Sequence, residues 1–380
     1  MIYLDNNATT KVHPEVLEAM LPFYTQYWGN ASSLHPFGAQ VGPHLDRARQ
    51  QVADLLEAQR ESEIIFTSSG TESNNLAIRG VLQTLPQKKH LITTTVEHSS
   101  VYKLCQKLET EGYEVTWLTV QKDGGLDLEE LKRSIRPDTA LASIMWANNE
   151  TGILFPIEEI AQICEEKNIL FHTDAVQAAG KVPIDLRKVQ ANLLSISGHK
   201  IGAPKGIGAL YLHRGTKLQA QLIGGSQERG RRAGTENVAG MIALGKAAEI
   251  MKKKLKEIQM DRVSSLRDFF EEKILQKFDF VRRNGNPNKR VPNTASLAFV
   301  GLDAQTIALL LGEAGIAVST GSACSSGNME PSRILQKMGL TTPTARGTVR
   351  FSLSAETTEN DLQEALQTIE TVISRLLKGS

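Results

Sequence analysis

The sequence is short of several things, and each shortage excludes something. It has 3 cysteines in 380 residues, at positions 105, 164 and 324. They are too few for a disulfide framework and show no metal-ligand spacing, so no metal is expected. Net charge is nearly absent, with 43 basic against 42 acidic residues. That balance gives no electrostatic case for nucleic acid or an acidic surface as a standing partner. No apolar run reaches the length of a membrane span. Residues 1–10 form a short strand-like run without the basic start and long apolar stretch of a signal peptide, so a cytoplasmic location follows by default. Internal repeats and low-complexity segments are absent as well. What remains is an ordinary globular composition, 41% hydrophobic and 22% charged, in a chain long enough for two domains and a sizeable core.

From about residue 63 to 199, short apolar runs alternate with helical patterns. The strand candidates are 63–67, 90–95, 114–120, 141–146, 169–172 and 193–197, whose β-branched and apolar content suits strands buried on both faces. Helical stretches at 71–85, 99–111, 128–135 and 157–167 lie between them. This alternation predicts an α/β fold, a large domain with a mostly parallel sheet flanked by helices. Residues 235–278 read as long, charged and helical, and the four lysines within 251–256 as a solvated helix face. Beyond residue 284, strands at 296–300, 316–319 and 348–353 and helices at 303–313, 331–338 and 358–377 predict a smaller α+β domain, joined by the N-terminal segment. The expected division is 15–255 for the large domain, with 1–14 and 256–380 for the small one.

Ligands in such sheets sit at the carboxyl ends of the strands, and four segments there are informative. At Thr67-Ser-Ser-Gly-Thr-Glu-Ser-Asn-Asn75 a strand runs into Gly70 and a helix starts at Thr71, which makes an anion site suited to phosphate or, more plainly, an ordinary helix cap. At Ile169-Leu-Phe-His-Thr-Asp-Ala-Val-Gln177, Asp174 leaves a buried strand, where a carboxylate needs a cationic partner such as a protonated pyridine unless it merely caps a helix. Gln177 follows three residues later. At Leu193-Leu-Ser-Ile-Ser-Gly-His-Lys200 a hydrophobic strand delivers Ser197, His199 and Lys200 together. Burial and cationic neighbours lower a lysine's pKa towards a reactive amine, so Lys200 is a Schiff-base candidate. Lys205 is a rival in the same loop that the sequence alone does not exclude. In Val318-Ser-Thr-Gly-Ser-Ala-Cys-Ser-Ser-Gly-Asn-Met-Glu330, Cys324 sits in a Gly/Ser-rich loop typical of an accessible thiol. Cys105, with Val101, Leu104 and Leu108, and Cys164, with Ile160, Ala161 and Ile163, follow helical spacing and read as core.

Taken in order, the motifs Tyr3-Leu-Asp-Asn-Asn-Ala-Thr-Thr10, Ser69-Gly-Thr-Glu-Ser-Asn-Asn75, Val96-Glu-His-Ser99, Asn148-Asn-Glu-Thr-Gly152, Ser197-Gly-His-Lys200, Arg231-Arg-Ala-Gly-Thr235, Gly321-Ser-Ala-Cys324 and Val349-Arg-Phe-Ser352 span nearly the whole chain. The chain closely resembles cysteine desulfurases of the nitrogen-fixation and iron–sulfur assembly type. These belong to the class V aminotransferase branch of fold-type I enzymes that use pyridoxal 5'-phosphate (PLP). The resemblance implies conversion of L-cysteine to L-alanine. Lys200 would carry PLP, Asp174 would pair with its ring nitrogen and Gln177 with its ring hydroxyl oxygen. His98 would stack on the ring and relay protons. Gly70, Thr71, Ser197 and His199 would hold the phosphate, joined by Thr235 of the partner subunit in a homodimer. Asn149 and Arg350 would bind the substrate carboxylate, with His35 approaching it. Cys324 would receive the sulfur as a persulfide for an acceptor such as an iron–sulfur scaffold or a tRNA thiolation enzyme. Two positions depart from the family's habit: Ala31, where relatives usually carry proline, and Gly202, where relatives more often carry a bulkier residue. A selenocysteine lyase would not need Cys324, a non-catalytic scaffold would lack Lys200, Asp174 or Cys324, and a phosphate-binding regulatory module would predict no carbonyl cofactor.

Overall fold

The computed structural model describes residues 1–257, 259–320 and 331–378. The chain opens on a two-residue strand, β1 (Ile2–Tyr3), and then lays down β2 (Ile64–Thr67), β3 (His90–Thr94), β4 (Glu114–Leu118), β5 (Thr139–Ser143), β6 (Leu170–Asp174), β7 (Leu193–Ser197) and β8 (Gly208–Leu212). The last seven form one sheet in the order β2-β8-β7-β6-β5-β3-β4. Strands β3 to β7 run parallel, and β8 lies antiparallel between β2 and β7.

Successive strand residues point to opposite faces, and both faces here are apolar. Ile64, Phe66, Ile92, Phe171, Leu194 and Ile196 face one core, which the helices Gly42–Leu56 and Val238–Lys256 cover. Ile65, Leu91, Leu141, Leu193 and Leu210 face another, covered by the helices Gly70–Thr84 and Ser99–Thr110. Each such side chain, fully buried, contributes about 1.5–3 kcal/mol. This two-sided burial explains the near-continuous apolar runs of the sequence. Polar residues inside the sheet are satisfied across strands: His172 bridges Ser143 and Ser195 at 2.8 and 3.0 Å, and burial pushes its pKa down to about 3. It is a neutral crossbar.

A separate core gathers residues from both ends of the chain. Ile2 and Leu4 pack with Phe270, Leu297, Phe351, Leu362 and Ile369. Its strands are β9 (Val281–Arg283), β10 (Thr294–Phe299), β11 (Ile316–Ala317), β12 (Ser319–Thr320) and β13 (Thr348–Ser352). Four of them make an antiparallel sheet in the order β12-β13-β10-β9, while β1 pairs in parallel with β11.

Several expectations need adjusting. Residues 208–212, absent from the expected strands, form β8, because alternation in Gly-Ala-Leu-Tyr-Leu puts Leu210 and Tyr211 into opposite cores. The long helical stretch after residue 235 is two helices, Val238–Lys256 and Gln259–Lys277. The helix expected at 331–338 is shorter, Arg333–Lys337. The strand expected at 169–172 runs on to Asp174, and the one expected at 141–146 ends at Ser143. Met145, Ala147, Asn149 and Glu150 are thereby released to line a cavity at the carboxyl edge.

Candidate active site

Five strand ends converge on one cavity of about 530 Å³. At the end of β2, Ser69 caps the helix Gly70–Thr84, its Oγ accepting from the Glu72 N–H at 3.2 Å. A Cβ on Gly70 would lie 2.8 Å from Val176 Cγ2 and 3.3 Å from Ser197 Cβ. The absent side chain is therefore what lets the helix start pack between β2, β6 and β7. Gly70, Thr71, Ser197 and His199 border the cavity together, so the free N–H groups and partial positive charge of a helix start face it beside two polar side chains. The His199 ring, depressed to about 4 by burial and by Lys200 and Lys205, stays neutral. The Gly70 segment is a helix cap, as the plainer reading has it, and the cap also borders the cavity.

Asp174 ends β6 and is buried. Asn74 Nδ2 donates to its Oδ2 at 2.7 Å and the Val176 N–H to its Oδ1 at 3.0 Å. Both donors are neutral. Gln177 Nε2 donates to the Asn7 carbonyl at 3.0 Å, and Gln177 Oε1 accepts from Lys181 Nζ at 2.6 Å. Because a carbonyl only accepts, the Asn7 oxygen fixes which end of the Gln177 amide points where and leaves Oε1 to Lys181.

Lys200 closes the turn Gly198–Lys200 that follows β7. Its Nζ donates to the carbonyls of Asn7 and Ala8 at 2.5 and 2.7 Å. Burial, assisted by Arg350 and opposed by Asp5 and Asp174, lowers its pKa to about 8. Lys205 is exposed and does not line the cavity, which separates the two candidates. The segment bearing Lys200 is clasped by the N-terminal strap: Thr10 N–H and Oγ1 both donate to the His199 carbonyl, and Thr10 Oγ1 accepts from the Gly202 N–H at 2.9 Å. Gly202 has φ +87°, a left-handed conformation that glycine adopts without strain. The glycine that departs from the family's habit suits this turn.

Across the cavity stands Arg350, buried in β13. It donates to the Asn149 carbonyl and to Asp5 Oδ1, each at 2.8 Å. Its Nε and the Oδ1 of Asn149 are buried polar atoms lacking partners among the described residues. Buried polar groups are ordinarily satisfied, so these two point to a polar occupant. His98 also lines the cavity, with Nδ1 2.8 Å from Ser100 Oγ.

These features fit PLP. They include a neutral-donor-only buried carboxylate for a ring cation, a cradle that a Cβ would fill, and a lysine of lowered pKa beside unpaired polar atoms. Lys200, Asp174, Gln177, Gly70, Thr71, Ser197, His199, His98, Asn149 and Arg350 are thus brought together. Thr235 and His35 are not. Both are exposed. Thr235 lines a separate cavity with Ser68 and Arg232, and His35 caps a short helix through Gly38. Cys324 lies outside the described residues. Cys105 and Cys164 are buried, and burial pushes both thiols up, Cys164 to about 12. Neither can serve as a ready thiolate.

Sequence reasoning missed Asn7, Asn74, Ser100 and Lys181, which bind side chains rather than ligands, and Arg333. Arg333 donates to the Thr95 and Glu97 carbonyls and stacks 3.7 Å over Tyr102. Asn74 and Asn7 lay within quoted motifs, the Gly70 segment and residues 3–10, but no role was attached to either.

The family model for aminotransferase class-V matches residues 2–365. The chain belongs to that family. It is 51% identical over 375 residues to the cysteine desulfurase NifS of Azotobacter vinelandii, covering 99% of this chain and 93% of the relative. Among solved structures, a NifS-like protein superposes with a TM-score of 0.92 at 36% identity, covering 98% of this chain and 99% of that one. SspA in complex with cysteine matches with a TM-score of 0.83 at 35% identity, covering 94% and 100%. The expected α/β architecture holds. No helix among the described residues is long and apolar enough to cross a membrane.

Proposed function

We propose that the chain is a PLP-dependent cysteine desulfurase that converts L-cysteine to L-alanine and passes the sulfur through Cys324 to an acceptor. The reading rests above all on one observation: Lys200, with its amine lowered to about 8, shares a cavity with Asp174 and Arg350. An amine with a pKa near neutrality is populated as free base and can serve as nucleophile and base. When bound, the cofactor would supply a protonated ring as the sink for the electron pair left at the substrate Cα. Asp174 keeps that ring protonated. Gln177, held by Lys181, donates to its hydroxyl oxygen. The N–H groups at Gly70 and Thr71, with Ser197 and His199, hold its phosphate. Arg350 takes the substrate carboxylate together with Asn149, and its planar fork suits the two oxygens. Lys200 Nζ takes the Cα proton. The Cys324 thiolate then attacks the substrate sulfur. The Cβ–S bond breaks, an S–S bond forms, and alanine leaves after protonation at carbon.

The active form is a homodimer in which Thr235 of the partner subunit completes the phosphate site. Two features support this. Thr235 and His35 lie outside their own chain's cavity, and Trp28, Leu34, Phe37 and Ile223 are exposed large apolar residues, of the kind found at interfaces. The acceptor is an iron–sulfur scaffold or comparable sulfur carrier, and the compartment is the cytoplasm.

Cys324→Ser tests the sulfur step. The variant should retain cofactor absorbance and lose alanine formation from L-cysteine. Turnover at the wild-type rate would remove Cys324 from the mechanism and move the reading towards a lyase that needs no enzyme thiol.

A further inference from the structure

Behind His98 runs a chain of hydrogen bonds whose directions can be assigned. Asp174 is an acceptor at both oxygens, so the neighbouring Asn74 amide must present its NH₂ end to it. That contact is 2.7 Å, and Asn74 is buried. The same nitrogen lies 2.8 Å from Ser100 Oγ and spends its second proton there. Ser100 Oγ is thus an acceptor towards Asn74. Its own proton is free for His98 Nδ1, 2.8 Å away. The Ser100 backbone N–H points at the same ring nitrogen at 3.2 Å. Two donors therefore converge on Nδ1.

We propose that Asn74 and Ser100 are positioning residues that lock His98 in the neutral Nε2–H tautomer, so that His98 acts as a fixed hydrogen-bond donor to the cavity's occupant and not as a proton acceptor. A proton on Nδ1 would confront two donors, and Ser100 Oγ would have to turn its hydrogen away. The polarity originates at Asp174. A carboxylate there orients Asn74, Asn74 orients Ser100, and Ser100 orients the ring. The group that pairs with the cofactor's ring nitrogen and the group expected to stack on that ring are thus coupled through two side chains. This revises the expectation that His98 relays protons.

The surroundings agree. His98 is exposed on the cavity side, and desolvation by the protein around it, with Lys200 and Arg333, lowers its pKa, which Asp174 alone among the facing charges opposes. Lys103 also borders the cavity. The coupling to the cofactor rests on the site proposed above, whereas the tautomer is a property of the protein's own bonds.

The test is two-bond ¹H–¹⁵N spectroscopy of the holoenzyme labelled with ¹⁵N-histidine. The His98 signals among the 8 histidines are assigned by their loss in His98→Gln. A pyridine-type Nδ1 and a pyrrole-type Nε2 are expected at neutral pH, with the Nε2–H form in about tenfold excess or more. Ser100→Ala and Asn74→Ala should move the populations towards equality, and Ser100→Thr, which keeps the hydroxyl, should restore the lock. An Nδ1–H tautomer or an imidazolium in the wild-type protein overturns the proposal, as does a tautomer ratio unchanged in Ser100→Ala. If either alanine variant fails to fold, the wild-type spectrum still decides. Borohydride labelling of Lys200 on the same preparation reads the cofactor site separately, so failure of one reading is distinguishable from failure of the other.

Discussion

Lys200→Met should change the stability of the cofactor-free protein with a sign that reverses with pH. Burial holds the Lys200 amine at about 8 against an ordinary value of 10.5. The unfolded chain therefore binds more protons than the folded one between those values, and folding becomes more favourable as pH rises through that window. Below pH 8 the folded protein carries the full penalty. At 1.36 kcal/mol per pH unit it amounts to about 3 kcal/mol. Methionine matches the stem and removes the charge. It also removes the bonds to the Asn7 and Ala8 carbonyls. The Asn7 carbonyl keeps Gln177 Nε2, so the loss falls mainly on Ala8 and costs about 1–2 kcal/mol. At pH 7 the variant should be more stable by roughly 1–2 kcal/mol. Near pH 10.5 most of the relieved penalty is gone and the lost bonds should dominate, leaving the variant less stable. Chemical denaturation of both apoproteins from pH 7 to 10.5 measures this. A stability difference that does not vary with pH would refute the claim that Lys200 is buried as a strained cation.

Two further substitutions probe the walls of the cavity. Arg350→Lys keeps the charge but loses the fork, and forfeiting one charged hydrogen bond of about 1.5–3 kcal/mol should raise KM for L-cysteine roughly 10- to 100-fold; an unchanged KM in steady-state assays would remove Arg350 from carboxylate binding. Gly70→Ala places a methyl 2.8 Å from Val176 Cγ2, an overpacking that costs about 1–3 kcal/mol. It should lower Tm and speed cofactor loss, measured by the decay of cofactor absorbance on dilution, and full retention at wild-type Tm would contradict the cradle.

Much of this could be read in the sequence, for identifiable reasons. Parallel strands buried on both faces leave apolar runs such as Leu193-Leu-Ser-Ile, and the loops after them carry the chemistry, so Lys200, Asp174 and Gly70 stood out by position. The choice between Lys200 and Lys205 did not, because exposure is a tertiary property: the strap at residues 5–10 covers one lysine and leaves the other in solvent. The strap's role was equally hidden, since Asn7 meets Lys200 and Lys181 across more than 170 positions of sequence separation. β8 escaped notice because Gly206 precedes it and Gly208 opens it, and glycines suggest a loop until the pairing with β2 and β7 is seen. Thr235 carried a resemblance that one chain cannot express, because its proposed target lies in the other subunit, and His35 caps a short helix away from the cavity. The helix after residue 331 was overestimated because Ser332, its cap, and Gly339 at φ +78° confine it to a single short turn of structure.

The most direct test of the account is reduction of the purified enzyme with borohydride, followed by proteolysis and peptide mapping. A pyridoxyl group on Lys200 is the predicted result. A label on Lys205, on Lys181 or on no lysine at all would contradict the claim that this cavity holds its cofactor on Lys200.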